Sequence, residues 1–111
     1  MNDQSILNKA SELITRDLEL EETPTSSMSE EELLLLITHR VAYLIEHNME
    51  LLLSSLYRLD VSEQKINNAL MPGNPTSPDS AIAMLILQRQ KERIITRLSY
   101  KQPDIDGWDR F

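Results

Sequence analysis

Residues 29–59, SEEELLLLITHRVAYLIEHNMELLLSSLYRL, constrain the fold more than any other stretch of the chain. Ser29 has the hydroxyl of a helix N-cap, and Glu32 stands three residues on, at the reciprocal position of a capping box. Glu30, Glu31 and Glu32 add negative charge at the positive end of the helix dipole. On a helical wheel, Leu33, Ile37, Leu44, Val41, Leu34, Ile45, Ala42 and Leu35 fill an arc of roughly 200°, where a surface helix needs little more than about 100°. Glu32, His39, Glu46, Glu50, Arg40 and His47 lie opposite, with Leu36 and Tyr43 among them. Such a helix requires cover on two sides, from neighbouring helices or from a second subunit. At His47-Asn48 the spacing predicts a break, with Asn48 capping a new helix and Glu50 in its first turn. Unbroken, the stretch would run about 45 Å, longer than a small domain usually holds.

The rest of the chain supports helices. Only 2 of the 111 residues are Gly, aromatics make up 5%, and no window alternates apolar and polar residues for the length of a strand. Ile6, Leu7, Ala10, Leu13, Ile14 and Leu18 follow helical spacing and predict a helix near 5–20, capped by Asp3 or Ser5. Pro24 and a Thr/Ser cluster make 21–28 a linker. Asp60, with Glu63 three residues on, is expected to cap a short helix over 61–70. Residues 71–78, MPGNPTSP, form a Pro-rich connection. With Pro78 at its first position, the last helix runs near 78–100, nearly all-round apolar over 81–87 and basic in its second half. Pro103 ends it, and the tail over 102–111 carries Ile105, Trp108 and Phe111 three apart, a spacing that predicts packing back on the bundle or on a partner. The expectation is one all-α domain over 1–111, an up-and-down bundle of four to five helices whose short links favour antiparallel neighbours.

Composition excludes several functions. The absence of Cys removes disulfides, thiol catalysis and thiolate metal sites. The first residues lack the basic start and apolar run of a signal peptide, and no apolar run approaches the roughly 20 residues of a membrane span, so the expectation is a soluble cytoplasmic protein with no membrane association. Net charge is −7 and uneven: residues 1–50 carry 11 acids and 3 bases, residues 51–111 carry 7 acids and 8 bases. The two halves are therefore expected to attract each other, within or between subunits, and the first half is a poor nucleic-acid binder.

Candidate chemistry is sparse. His39, Tyr43, Glu46, His47 and Glu50 share a helix face, but a di-iron bundle needs Glu-x-x-His from two helices, and both histidines lie in this one segment. There is no GxSxG motif and no glycine-rich phosphate loop. The sequence predicts no catalytic residue, metal or cofactor. Arg89, Arg93 and Arg97 repeat at i, i+4 and i+8, and with Lys101 they form a basic stripe. It suits a nucleic-acid-associated or regulatory role, or pairing with the acids of the first half or of a partner; nucleic acid is the weaker expectation, because the molecule is acidic overall and helix C-termini favour cations in any case.

Leu56-Tyr57-Arg58-Leu59-Asp60-Val61-Ser62-Glu63, preceded by Tyr43-Leu44-Ile45-Glu46-His47, resembles small conserved-hypothetical helical proteins of bacteria over the middle third of the chain. The resemblance implies a helical fold and brings no assigned activity. From the residues themselves, the leading expectation is a non-enzymatic interaction protein, a homodimer or a binder of another protein. Its contact surface would be Leu34, Ile37, Val41, Leu44, Ile45, Leu52 and Leu56 of the central stretch, with the apolar start of the last helix.

Overall fold

The computed structural model describes residues 3–20 and 28–100, the side chains of Ser99 and Tyr100 excepted. Five helices are present among them: α1 (Asp3–Leu18), α2 (Glu30–His47), α3 (Met49–Arg58), α4 (Glu63–Leu70) and α5 (Pro78–Tyr100). They make an all-α helical bundle whose single core cluster draws on every helix. Linker residues 21–27 and the tail, including Lys101, Ile105, Trp108 and Phe111, lie outside the described residues.

The central stretch divides as its sequence predicts. Ser29 caps α2 in a complete capping box: its hydroxyl accepts from the Glu32 amide, and the Glu32 carboxylate accepts from the Ser29 amide. The Ser29 amide, donating to the carboxylate, holds the Glu32 carboxyl below its ordinary pKa, and the Ser29 hydroxyl adds to the shift. At Asn48 the backbone leaves the helix (φ −157°, ψ 73°), its amide closes α2 on Leu44, and its side chain accepts from Leu51 to open α3. One residue thus ends one helix and starts the next.

The end of α3 differs from the sequence expectation. Asp60 is not the cap of the following helix. It sits in the left-handed region (φ 60°), where its amide donates to Tyr57 and that of Val61 donates to Leu56. This is a Schellman ending with an aspartate in the place glycine usually takes. Ser62 caps α4 instead, accepting from the Lys65 amide. A capping pattern in sequence fits either residue; the left-handed turn at Asp60 moves the start of α4 two residues on.

The last helix, α5, is the spine against which α1, α2 and α4 pack. Glu30 pairs with Lys91 at one end of α2, and His39 acts electrostatically on Asp79 further along, so α2 runs antiparallel to α5. The α1 helix points the same way as α2, because Gln4 donates to the Met28 carbonyl near their starts and Arg40 donates to Leu18 at the end of α1.

This arrangement covers the wide apolar arc within one copy. Ile37, Val41, Leu44, Leu52 and Leu56, five of the seven residues expected at an interface, are fully enclosed in the core, and Leu34 and Ile45 pack half-buried against it. The expectation that these residues form a contact between subunits is therefore corrected: of the two kinds of cover the sequence allowed, neighbouring helices supply it, α1, α3 and α5 packing on α2. Arc width measures how much cover a helix needs, and says nothing of which chain supplies it.

Candidate interaction surface

The buried Asp17 and Gln90 sit at joints between helix ends. Two cations from other helices close the end of α1: Arg40 donates to the Leu18 carbonyl, and Arg58 donates to that of Asp17. Arg16 and Arg58 also pair with the Asp17 carboxylate. The end of α3 is closed from α5. The fully buried Gln90 amide donates to Leu59 at 2.7 Å, Arg93 donates to the same carbonyl and to Gln90, and Arg89 donates to the Asp60 carbonyl. The last carbonyls of a helix lack partners within it and carry the negative end of its dipole, which is why cations collect there.

The basic stripe is largely spent on this joint. Arg89 pairs with the Asp60 carboxylate at 2.6 Å and with Glu92. The hydrogen bond from Arg89 holds the Asp60 carboxyl below its ordinary pKa, and Asp60 in turn raises that of Arg89. With Arg93 bonded to Leu59 and Gln90, two of the four stripe residues brace the α3–α4 corner. Arg97 is exposed and interacts within the described chain, and Lys101 lies outside it. The attraction expected between the two halves appears as Lys91 with Glu30 and Arg58 with Asp17.

The polar face of α2 does not assemble a metal site. His47 stacks on Tyr43 with ring centroids 4.2 Å apart, and the Arg40 guanidinium lies 5.5 Å from the Tyr43 centroid. Among the described residues no three His, Asp or Glu side chains converge as metal ligands would.

Among the described residues, clefts open on the surface at several places. One of about 410 Å³ lies where the starts of α1 and α2 meet Lys91 and Ile95. A second, about 330 Å³, has Ala69, Ala81, Met84 and Leu85 in its wall. The third, about 280 Å³, is lined by Asp60, Ser62, Lys65 and Arg89. Their volumes fall at or below the lower part of the ligand-pocket range. None contains a histidine, and the strongest charges of the third, Asp60 and Arg89, satisfy each other.

Some of what the bundle leaves outward is apolar. Along α5, Met84, Ile95 and Leu98 stay 55%, 46% and 41% exposed, in one row with Ala81, Gln88 and Lys91. Tyr57 of α3 is 86% exposed, and Leu35, Leu53 and Met71 are also open. Sequence reasoning placed the contact surface on the central stretch and the apolar start of the last helix, and did not trace this row past Met84. The signal was present, because 81, 84, 88, 91, 95 and 98 alternate steps of three and four, but Gln88 and Lys91 interrupt its hydrophobicity.

No helix among the described residues is long and apolar enough to cross a membrane. No protein-family model matches the chain, and neither a curated protein nor a solved structure does. The fold and its exposed surface define an all-α bundle with an apolar row along its spine helix, and the functional reading rests on that surface.

Proposed function

We propose that this protein is a non-enzymatic helical interaction module that associates with a second copy of itself through the outer face of α5. One observation supports the reading: an apolar row on the longest helix stays in solvent although the same bundle encloses the leucines of α2 and α3. Exposed apolar side chains grouped on one helix face mark contact sites more often than scattered ones do. The chemistry of the molecule is consistent with a binding role, since the buried Asp17 and Gln90 are engaged between helices.

Light scattering over a concentration series, from about 10 to 500 µM, tests it in the range where a small interface associates. A mass rising towards twice 12.8 kDa is expected. The double variant Met84→Lys/Ile95→Lys is expected to stay monomeric with an unchanged melting temperature. A wild-type mass that stays monomeric throughout the series overturns the proposal.

A further inference from the structure

We infer that Asn48 is a hinge through which two copies exchange halves, α2 and α3 straightening into one helix so that α3, α4 and α5 of each copy pack on α1 and α2 of the other. Asn48 alone joins α2 to α3, and the helical pattern is intact on both sides of it: its amide donates to the Leu44 carbonyl, and its carbonyl accepts from the Leu52 amide. Straightening brings the amides of Met49, Glu50 and Leu51 to the carbonyls of Ile45, Glu46 and His47 and completes the ladder through the bend. The core face is already in phase for this. Val41, Leu44, Asn48, Leu52, Leu56 and Leu59 follow in steps of three and four, and all are buried except Asn48. In one straight helix they make a single stripe about 27 Å long.

The interface that exchange needs is already built. Away from the hinge, the halves meet chiefly where α5 packs on α1 and α2 and where α3 packs on α1, with the ion pairs Glu30–Lys91 and Asp17–Arg58 between them. Each of these contacts re-forms between two copies with the same partners, which is why exchange of an identical element is a low-cost route to a dimer. The closure of Leu18 by Arg40 and of Leu59 by Gln90 lies within a half and is kept. Asn48 itself opposes the exchange. Its side chain caps α3 at the bend, and it is the one polar member of the stripe that straightening would complete. The bent, single-copy form is therefore held by one side chain rather than by a loop of fixed shape. No surface outside the core is called on, so this association is independent of the outer face of α5.

The test uses the Met84→Lys/Ile95→Lys chain as parent, so that association through α5 does not contribute. Chains are refolded from urea at about 10 to 500 µM, diluted to about 5 µM and sized by light scattering. Exchanged dimers come apart only when the shared core opens, so they persist through dilution. Asn48→Ala in this parent removes the cap and is expected to give a persistent species of twice 12.8 kDa. Its dimerisation constant should lie about thirtyfold above the parent's, because one cap is lost at each of two hinges. Asn48→Leu, which also fills the stripe, should exceed that, and Asn48→Asp, which keeps a capping oxygen, should match the parent. Nitroxide labels on Leu35→Cys and Tyr57→Cys, both exposed and in a chain with no other cysteine, report the helix itself. With labelled chains diluted in unlabelled ones, they are expected about 33 Å apart in the dimer and closer in the monomer. The hinge is overturned if neither Asn48→Ala nor Asn48→Leu yields a persistent dimer, or if Asn48→Asp yields as much. A persistent dimer whose label distance equals the monomer's overturns the straightening, and with it the exchange.

Discussion

Replacing Ile37 with alanine asks whether the broad face of α2 belongs to the core of one copy or to a contact between copies. Ile37 is fully enclosed within the bundle. Truncation removes three carbons, about 2.4 kcal/mol of transfer free energy at about 0.8 kcal/mol each, and leaves a cavity that the neighbours only partly fill. A loss of about 3–4 kcal/mol is expected, within the range of such core truncations. At about 4 °C per kcal/mol for a chain of this length, the melting temperature should fall by about 12–16 °C. In urea the midpoint should fall by about 2–3 M, taking a slope of about 1.3 kcal/mol/M. Far-UV circular dichroism during heating and during urea titration reads both quantities. Leu35→Ala, on the same helix at a position open to solvent, is the control and should cost less than about 1 kcal/mol. The enclosure described for α2 is refuted if Ile37→Ala costs no more than Leu35→Ala. A drop in light-scattering mass without loss of melting temperature would point the same way, to a surface residue at a contact.

Three further outcomes follow from the joints between helices. Asn48→Ala should cost about 1 kcal/mol in chemical denaturation, because the first amides of α3 lose their acceptor; no measurable loss would show that the cap contributes nothing. Gln90→Leu keeps the volume but removes the amide between Leu59 and Arg93, and should cost about 1–2 kcal/mol by urea titration; a more stable variant would refute the joint as a stabilising element. Asp60 has a folded pKa below its unfolded value, so its contribution is present above the unfolded pKa of about 4 and is lost as pH falls through the lowered folded value. Asn also tolerates the left-handed backbone, so Asp60→Asn isolates the charge. With the Asp60 side chain 66% exposed, the loss at pH 7 should be about 0.2–1 kcal/mol, screened by salt, and it should shrink towards zero on acidification below pH 4. A difference equally large at pH 3 would assign it to something other than the Arg89 pair.

Local chemistry made much of this fold legible. Ser29 with Glu32 and Asn48 mark helix boundaries through bonds to residues three or four away, Pro78 marks one through its fixed backbone angle, and the structure makes the caps at Ser29 and Asn48 as their sequence neighbours dictate. Asp60 and Ser62 both read as caps, and what separates them is the left-handed turn and Arg89, which is 29 residues distant. The same limit governed the surface. The apolar arc of α2 was correctly seen to need cover, but whether α5 or a second copy lies over Ile37 and Val41 depends on contacts between remote segments. The engagement of Arg89 and Arg93 was hidden for the same reason, since the helix end that takes them up is one no pattern within 78–100 announces. The apolar start of α5 is legible in sequence, but its continuation to Ile95 and Leu98 is not, because Gln88 and Lys91 between them are polar.

The closure of α1 and α3 by side chains from α2, α3 and α5 has a dynamic consequence. Helix termini ordinarily fray at almost no free energy, independently of the rest of the molecule. Here the carbonyls of Leu18 and Leu59 are held by residues 22 and 31 positions further along the chain, so either end loosens only when a second helix gives way with it. Amide exchange in the last turns of α1 and α3 should therefore track global opening, giving the bundle one cooperative unit that reaches its corners.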